Sequence, residues 1–104
     1  MRVVLCNCPP DGAADIARAL VERGLAACVN VVPGVRSFYV WDGAVQDDGE
    51  STLLIKVAAD GVDALRSALV ELHPYDVPEV VVLTVDAAAS HGPYVDWVRG
   101  AGRA

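Results

Sequence analysis

The sequence predicts an α+β sandwich, on three observations. Segments rich in Val and other apolar residues alternate with segments whose apolar positions recur at spacings of three and four, the periods of strands and helices. Their order is strand, helix, strand, strand, helix, strand, with a short helix to finish. Between the second and third strands lies one Asp42-Gly43 pair inside a long β-rich stretch, so a single hairpin with arms of about 14 residues is expected, against a usual strand of about 5–6.

Taken in order, Arg2 to Cys8 is a strand that ends at Pro9-Pro10, which cannot continue a ladder. Asp11 is the expected cap of a first helix with Ala13, Ile16, Ala17 and Leu20 on its apolar face, and Gly24 stands where a left-handed C-terminal cap is wanted. Leu25 to Trp41 forms the outgoing arm of the hairpin, and Ala44 to Val57 returns. Pro33-Gly34 on one arm and Asp48-Gly49 on the other are expected to be bulges. Asp60 is the expected cap of a second helix with Val62, Leu65, Leu69 and Leu72 inward, stopped by Pro74. Glu79 to Val85 is a near-continuous apolar run, as in a strand covered on both faces. A short helix follows Gly92-Pro93 with Tyr94, Trp97 and Val98 on one side, and Gly100 after it. No repeat or linker divides the chain, so a single domain over residues 1–104 is expected. The order is that of the split βαβ, or ferredoxin-like, arrangement.

At 104 residues and 54% hydrophobic, with six aromatic residues, the chain can bury a core of small aliphatic side chains. Its 8 basic against 14 acidic residues, net charge -6, supply no basic footprint for nucleic acid or an anionic membrane. No apolar run approaches the roughly 18 residues of a spanning helix. The opening Met1 to Cys6 is too short in apolar length for a secretion signal and reads as a strand. A cytoplasmic location with reduced Cys6, Cys8 and Cys28 is expected, and Cys28 is expected to be a small buried hydrophobe. A ribbon this long outruns the body of so small a domain. Its apolar edge, with Phe38, Tyr39, Val40 and Trp41 near the tip, is expected to pair with other copies of the chain.

For chemistry, Cys6 and Cys8 lie on one face of the first strand, two soft donors suited to Cu(I) or Zn(II), or else core filler. His73 ends the second helix. It either completes a metal site with an imidazole or caps the helix at the rigid joint His73-Pro74-Tyr75-Asp76-Val77-Pro78-Glu79. His91 is expected in a surface loop without a partner. Asp47 and Asp48 read as solvated, with Arg36 placed to pair with them across the hairpin. The chain holds no phosphate-binding loop, dinucleotide fingerprint, zinc-protease helix or nucleophile elbow, and no catalytic set is assembled, so no enzyme is expected.

The run Glu22-Arg23-Gly24-Leu25-Ala26-Ala27-Cys28-Val29-Asn30, then Pro33-Gly34, Ser37, Tyr39, Trp41 and Gly43, resembles the signature of the CutA divalent-cation tolerance family. His73 to Glu79 and the ending Tyr94-Val95-Asp96-Trp97 are similar to further parts of it, so the likeness runs nearly the whole chain. The resemblance implies a ferredoxin-like subunit in a homotrimer, cytoplasmic, linked to tolerance of copper and other divalent cations, with no cofactor required. It places metal donors at Cys6 and His73, to which Cys8 would add a thiolate favouring Cu(I). Leu72 stands where some members have a further histidine, and Pro9-Pro10 departs from the usual single proline. The alternative is a trimeric sensor or adaptor that takes an anion or nucleotide at clefts between subunits. A small hydrolase such as an acylphosphatase shares the general fold, but Val32 to Phe38 lacks the glycine spacing of its phosphate loop.

Overall fold

Strand β1 (Arg2–Cys8) organises a four-stranded sheet of order β2-β3-β1-β4. On one side it pairs along its whole length with β3 (Ala44–Val57), from Arg2↔Val57 to Cys8↔Ser51. On the other it pairs with β4 (Val81–Thr84) only from Arg2↔Thr84 to Leu5↔Val81. All neighbours are antiparallel, and β3 also pairs with β2 (Cys28–Trp41). Helices α1 (Ala13–Glu22), α2 (Val62–Leu72) and α3 (Gly92–Gly100) complete the expected order. This computed structural model describes residues 1–100; the last four residues of the expected domain, 101–104, lie outside the described residues.

The alternation of β1 decides the core. Val4, Cys6 and Cys8 point to one face, where they meet Leu53 and Ile55 of β3 beneath Ile16 and Leu20 of α1 and Leu65 and Leu69 of α2. Each fully buried aliphatic side chain contributes about 1.5–3 kcal/mol relative to exposure. The other face is covered at one end by α3, through Val95 and Val98 against Met1, Val3 and Ala27. Of the side chains expected inward on α3, only Val98 is buried. Tyr94 and Trp97 form the adjoining row and stack on each other outside, with centroids 5.8 Å apart.

The C-terminus of α1 is as expected. Gly24 takes a φ of 71°, its N–H donates to the carbonyl of Val21, and Leu25 N–H reaches back to Leu20 at 2.9 Å, a paired closure that satisfies two orphan carbonyls. Leu25 and Ala26 both donate to Leu20, so they belong to this cap and β2 starts at Cys28, not at Leu25. The N-caps differ from expectation. Gly12, at φ 92°, precedes α1 where Asp11 was expected, because the tight exit from Pro9-Pro10 needs a left-handed residue. Gly61 precedes α2 where Asp60 was expected, since Asp60 lies within a 3₁₀ turn, Ala59–Gly61.

The hairpin turns at Asp42 (φ 52°) and Gly43 (φ 74°), the paired positive φ of a type I′ turn. One bulge is present, between Val32 and Val35, where Gly34 at φ 74° admits an extra residue. The second expected bulge is absent: Asp48 and Gly49 pair in register with Ser37 and Arg36. Beyond the bulge the ribbon stands clear of the body, with Phe38 62%, Val40 68% and Trp41 65% exposed. Strand β4 departs from the expected Glu79 to Val85 as well. It is a four-residue edge strand whose Val81, Val82 and Leu83 are all exposed, because β1 is its only strand neighbour among the described residues and α3 covers the sheet further along.

Candidate functional site

The root of the ribbon, the end of β1 and the joint after α2 meet at one place. Asn7 lies between Cys6 and Cys8, so its side chain takes the face opposite the core. Directly across the ladder, the Thr52 hydroxyl donates to Asn7 Oδ1 at 2.6 Å. Helix α2 stops at His73, whose ψ of 137° is the extended geometry that Pro74 imposes on its predecessor. The His73 N–H still closes the helix on Leu69. Its ring, 6% exposed, is engaged at both nitrogens: Nε2–H donates to the Asn7 carbonyl at 2.8 Å, and Nδ1 accepts the Tyr75 backbone N–H at 3.1 Å. These partners define the Nε2–H tautomer.

Tyr75 leans on the imidazole at 4.7 Å between centroids and donates its hydroxyl to Glu50 Oε2 at 3.1 Å. Desolvation, then the hydrogen bond to Glu50, push the Tyr75 phenol up to about 12, so it remains a donor. Along the ribbon the Tyr39 hydroxyl donates to Asp48, which raises its pKa too. Asn7, Tyr39, Trp41, Glu50, Tyr75 and Glu79 line a cleft of about 660 Å³ here. Arg36 meets Asp47 through two bonds of 3.3 and 2.6 Å, the expected cross-hairpin pair. Both partners are well exposed, which holds its worth to about 0–1 kcal/mol.

Cys6 and Cys8 are wholly buried on the core face of β1, with Cys6 Sγ donating to the Asn7 carbonyl and Cys8 Sγ to the Ser51 carbonyl, each at 3.8 Å. Burial pushes the Cys6 thiol up to about 12 and raises Cys8 as well. The structure thus brings the three expected donors around the end of β1. The thiols are disposed as protonated core groups; the imidazole ties β1 to the joint after α2, while the helix itself is closed by the His73 backbone N–H and not by the ring. No group of three His, Cys, Asp or Glu is arranged to hold a metal ion among the described residues. Cys28 is half-buried on the opposite face rather than fully buried, with its thiol toward Asn30 Oδ1 at 3.9 Å. His91 is an exposed residue before α3, as expected, and its carbonyl accepts from Tyr94 and Val95.

Glu50 is the residue that sequence reasoning passed over. It follows the solvated pair Asp47 and Asp48 in the sequence, yet it is 8% exposed at the cleft wall. Period-two counting from Leu54 through Thr52 puts it on the face of Asn7, the signal that locates it.

Residues 2–101 match the family model described as CutA1 divalent ion tolerance protein. The divalent-cation tolerance protein CutA of Thermus thermophilus is 46% identical over 98 residues, covering 93% of each chain. The human protein CutA is 43% identical over 94 residues, 89% of this chain and 51% of its own length, so the chain spans about half of that relative. Among solved structures, the PII-like protein CutA from Nostoc sp. PCC 7120 in apo form superposes with a TM-score of 0.93 at 46% identity, covering 96% of this chain and 95% of that one.

Proposed function

This chain belongs to the CutA1 divalent ion tolerance protein family, and from that premise we propose that it works as a homotrimeric, cytoplasmic cation-tolerance protein that binds copper without catalysis. The observation that carries the assembly is the ribbon. Two 14-residue arms pair with each other, but the face of their outer half that carries Phe38, Val40 and Val45, opposite the one that carries Tyr39 and Trp41, has no cover among the described residues. Exposed apolar strand surface of this kind is a liability that a closed symmetric assembly removes. In the proposal the subunit keeps the ferredoxin-like topology, and three ribbons pair between neighbours. The three free thiols suit a reducing compartment.

Copper capture is assigned to Cys6, Cys8 and His73, which supply soft sulfur and one imidazole. Their present disposition sets the condition for loading. The imidazole must release one of its two partners, the Asn7 carbonyl or the Tyr75 N–H, and the thiols must lose protons that burial holds on them. Capture by this set is therefore slow and favoured by rising pH. The alternative places an anion or nucleotide at clefts between subunits; within one subunit the cleft at the ribbon root has Glu50, Asp76 and Glu79 as its charged lining, the wrong sign for phosphate.

Native mass spectrometry of the reduced protein, with and without Cu(I) under anaerobic conditions, tests both parts. The expected result is a trimer that retains a whole number of copper ions per subunit and loses them in Cys6→Ser/Cys8→Ser. A monomer at micromolar concentration refutes the assembly. A trimer that retains no copper refutes the metal assignment alone.

A further inference from the structure

The copper proposal makes no use of the cleft at the ribbon root, whose lining has a chemistry of its own. We propose that this cleft binds a small organic cation, an ammonium or guanidinium group carried on an apolar body. Glu50 reaches it from β3 and Glu79 from the segment before β4, while Tyr39, Trp41 and Tyr75 supply aromatic surface; among the described residues its lining includes neither Lys nor Arg. On the β2 arm, Ser37, Tyr39 and Trp41 alternate onto one face, opposite Asp48, Gln46 and Ala44 of the β3 arm. Rings and carboxylates thus stand side by side along one wall.

Four kinds of ligand separate on this lining. An anion meets carboxylates alone. A bare divalent cation needs several oxygens converging at about 2.0–2.6 Å, and no such group forms among the described residues. A neutral apolar ligand would strip water from Glu50 and return nothing to it. An organic cation satisfies both features at once, since its charge meets the carboxylates and its face or stem lies on the rings. Glu50 is held for this role. It is 8% exposed and fixed by the Tyr75 hydroxyl at 3.1 Å, which takes up one of the roughly four lone-pair positions of a carboxylate. The ribbon already practises the chemistry on itself: the Arg36 guanidinium lies 5.2 Å from the Phe38 ring centroid while bonded to Asp47. A volume of about 660 Å³ suits a small molecule.

The test is calorimetric titration of the full chain, in its native assembly and in EDTA, with 2-phenylethylammonium and with its neutral counterpart 2-phenylethanol. EDTA keeps the result independent of copper. Saturable binding of the ammonium at least about tenfold tighter than the alcohol is expected, a difference of about 1.4 kcal/mol, and it weakens as salt is raised. Glu50→Gln is expected to weaken the ammonium about tenfold or more and to leave the alcohol unchanged. Because Glu50→Gln also alters the bond to Tyr75, Glu79→Gln is read beside it, with a loss in the same direction. Equal binding of the two compounds overturns the proposal. So does the absence of saturation by ~10 mM ammonium, or wild-type ammonium affinity in both variants.

Discussion

The His73 imidazole donates to the Asn7 carbonyl at 2.8 Å, two residues past Leu5↔Val81, the last pair between β1 and β4. Where the edge strand has run out, a side chain from the end of α2 continues the hydrogen bonding of β1. The same ring accepts from Tyr75 N–H, so one imidazole ties helix end, strand edge and the following joint together. A backbone carbonyl beside a buried strand must find a donor, and here the imidazole N–H is the strong one, beside the weak Cys6 thiol.

Replacing His73 with Ala removes both bonds and leaves the Asn7 carbonyl only the weak Cys6 thiol as a side-chain donor. A loss of about 1–3 kcal/mol is expected, read as a lower urea midpoint with an unchanged denaturant slope. A loss below about 0.5 kcal/mol, the range of ordinary surface changes, would show that the ring is not a structural tie.

Thiol reactivity should divide the cysteines. Cys6 and Cys8 are wholly buried and Cys28 is half-buried, and alkylation requires an accessible thiolate. Brief iodoacetamide treatment of the native protein near pH 8 should add one group, mapped to Cys28 by peptide mass spectrometry, and three groups in denaturant. Rapid native labelling of Cys6 would contradict the buried placement.

Stability should fall on the alkaline side. The Cys6 thiol rises from 9.0 to about 12 on folding and the Tyr75 phenol from 10.0 to about 12. Both groups hold their protons more tightly when folded, so their contribution is complete below the unfolded values and is lost as pH climbs toward 12. Urea midpoints should be level up to about pH 9 and then decline, with a shallower decline in Tyr75→Phe. Midpoints that rise between pH 9 and 11 would reverse the assigned sign.

Gly43 and Gly34 both have φ 74°, and an added Cβ at either would meet nothing within 4 Å. The cost of alanine there is therefore conformational, about 1–2 kcal/mol each. Gly43→Ala should lower the thermal midpoint through the turn itself. Gly34→Ala should do so by straining the bulge, and in the proposed trimer it should also weaken association of the chains, which sedimentation would detect.

Much of this architecture was legible because period and punctuation agree. The returning arm β3 and the turn at Asp42-Gly43 follow from a β-rich stretch bounded by a turn pair, and the end of α2 at His73 follows from Pro74. What escaped the reading was set by tertiary competition. Asp11 and Asp60 are good caps by residue type, but the backbone path gave the positions to Gly12 and Gly61. The apolar run before Val85 looked doubly covered, yet an apolar run cannot say whether its cover comes from its own chain, and β4 lies exposed at an edge. At the site, Cys6, Cys8 and His73 were visible as donors by type. The sequence could not show that both ring nitrogens were already taken, because one partner is a backbone carbonyl 66 residues away.

The extra residue at Pro33-Gly34 acts on the ribbon as a phase shift. Before it, odd-numbered residues of β2 lie opposite odd-numbered residues of β3, as in Val29↔Ile55 and Val31↔Leu53; after it they lie opposite even-numbered ones, as in Ser37↔Asp48 and Tyr39↔Gln46. One residue of slip exchanges the two sides of every position beyond it. Deleting Gly34 would merge the two registers into one, with Val35 still opposite Glu50, Ser37 opposite Asp48 and Tyr39 opposite Gln46. The facing pairs of the outer ribbon would survive, and what the deletion would remove is the local bend and added twist that a bulge supplies. The bulge is thus an elbow: it sets where the ribbon aims, while the turn at Asp42-Gly43 sets which residues face each other.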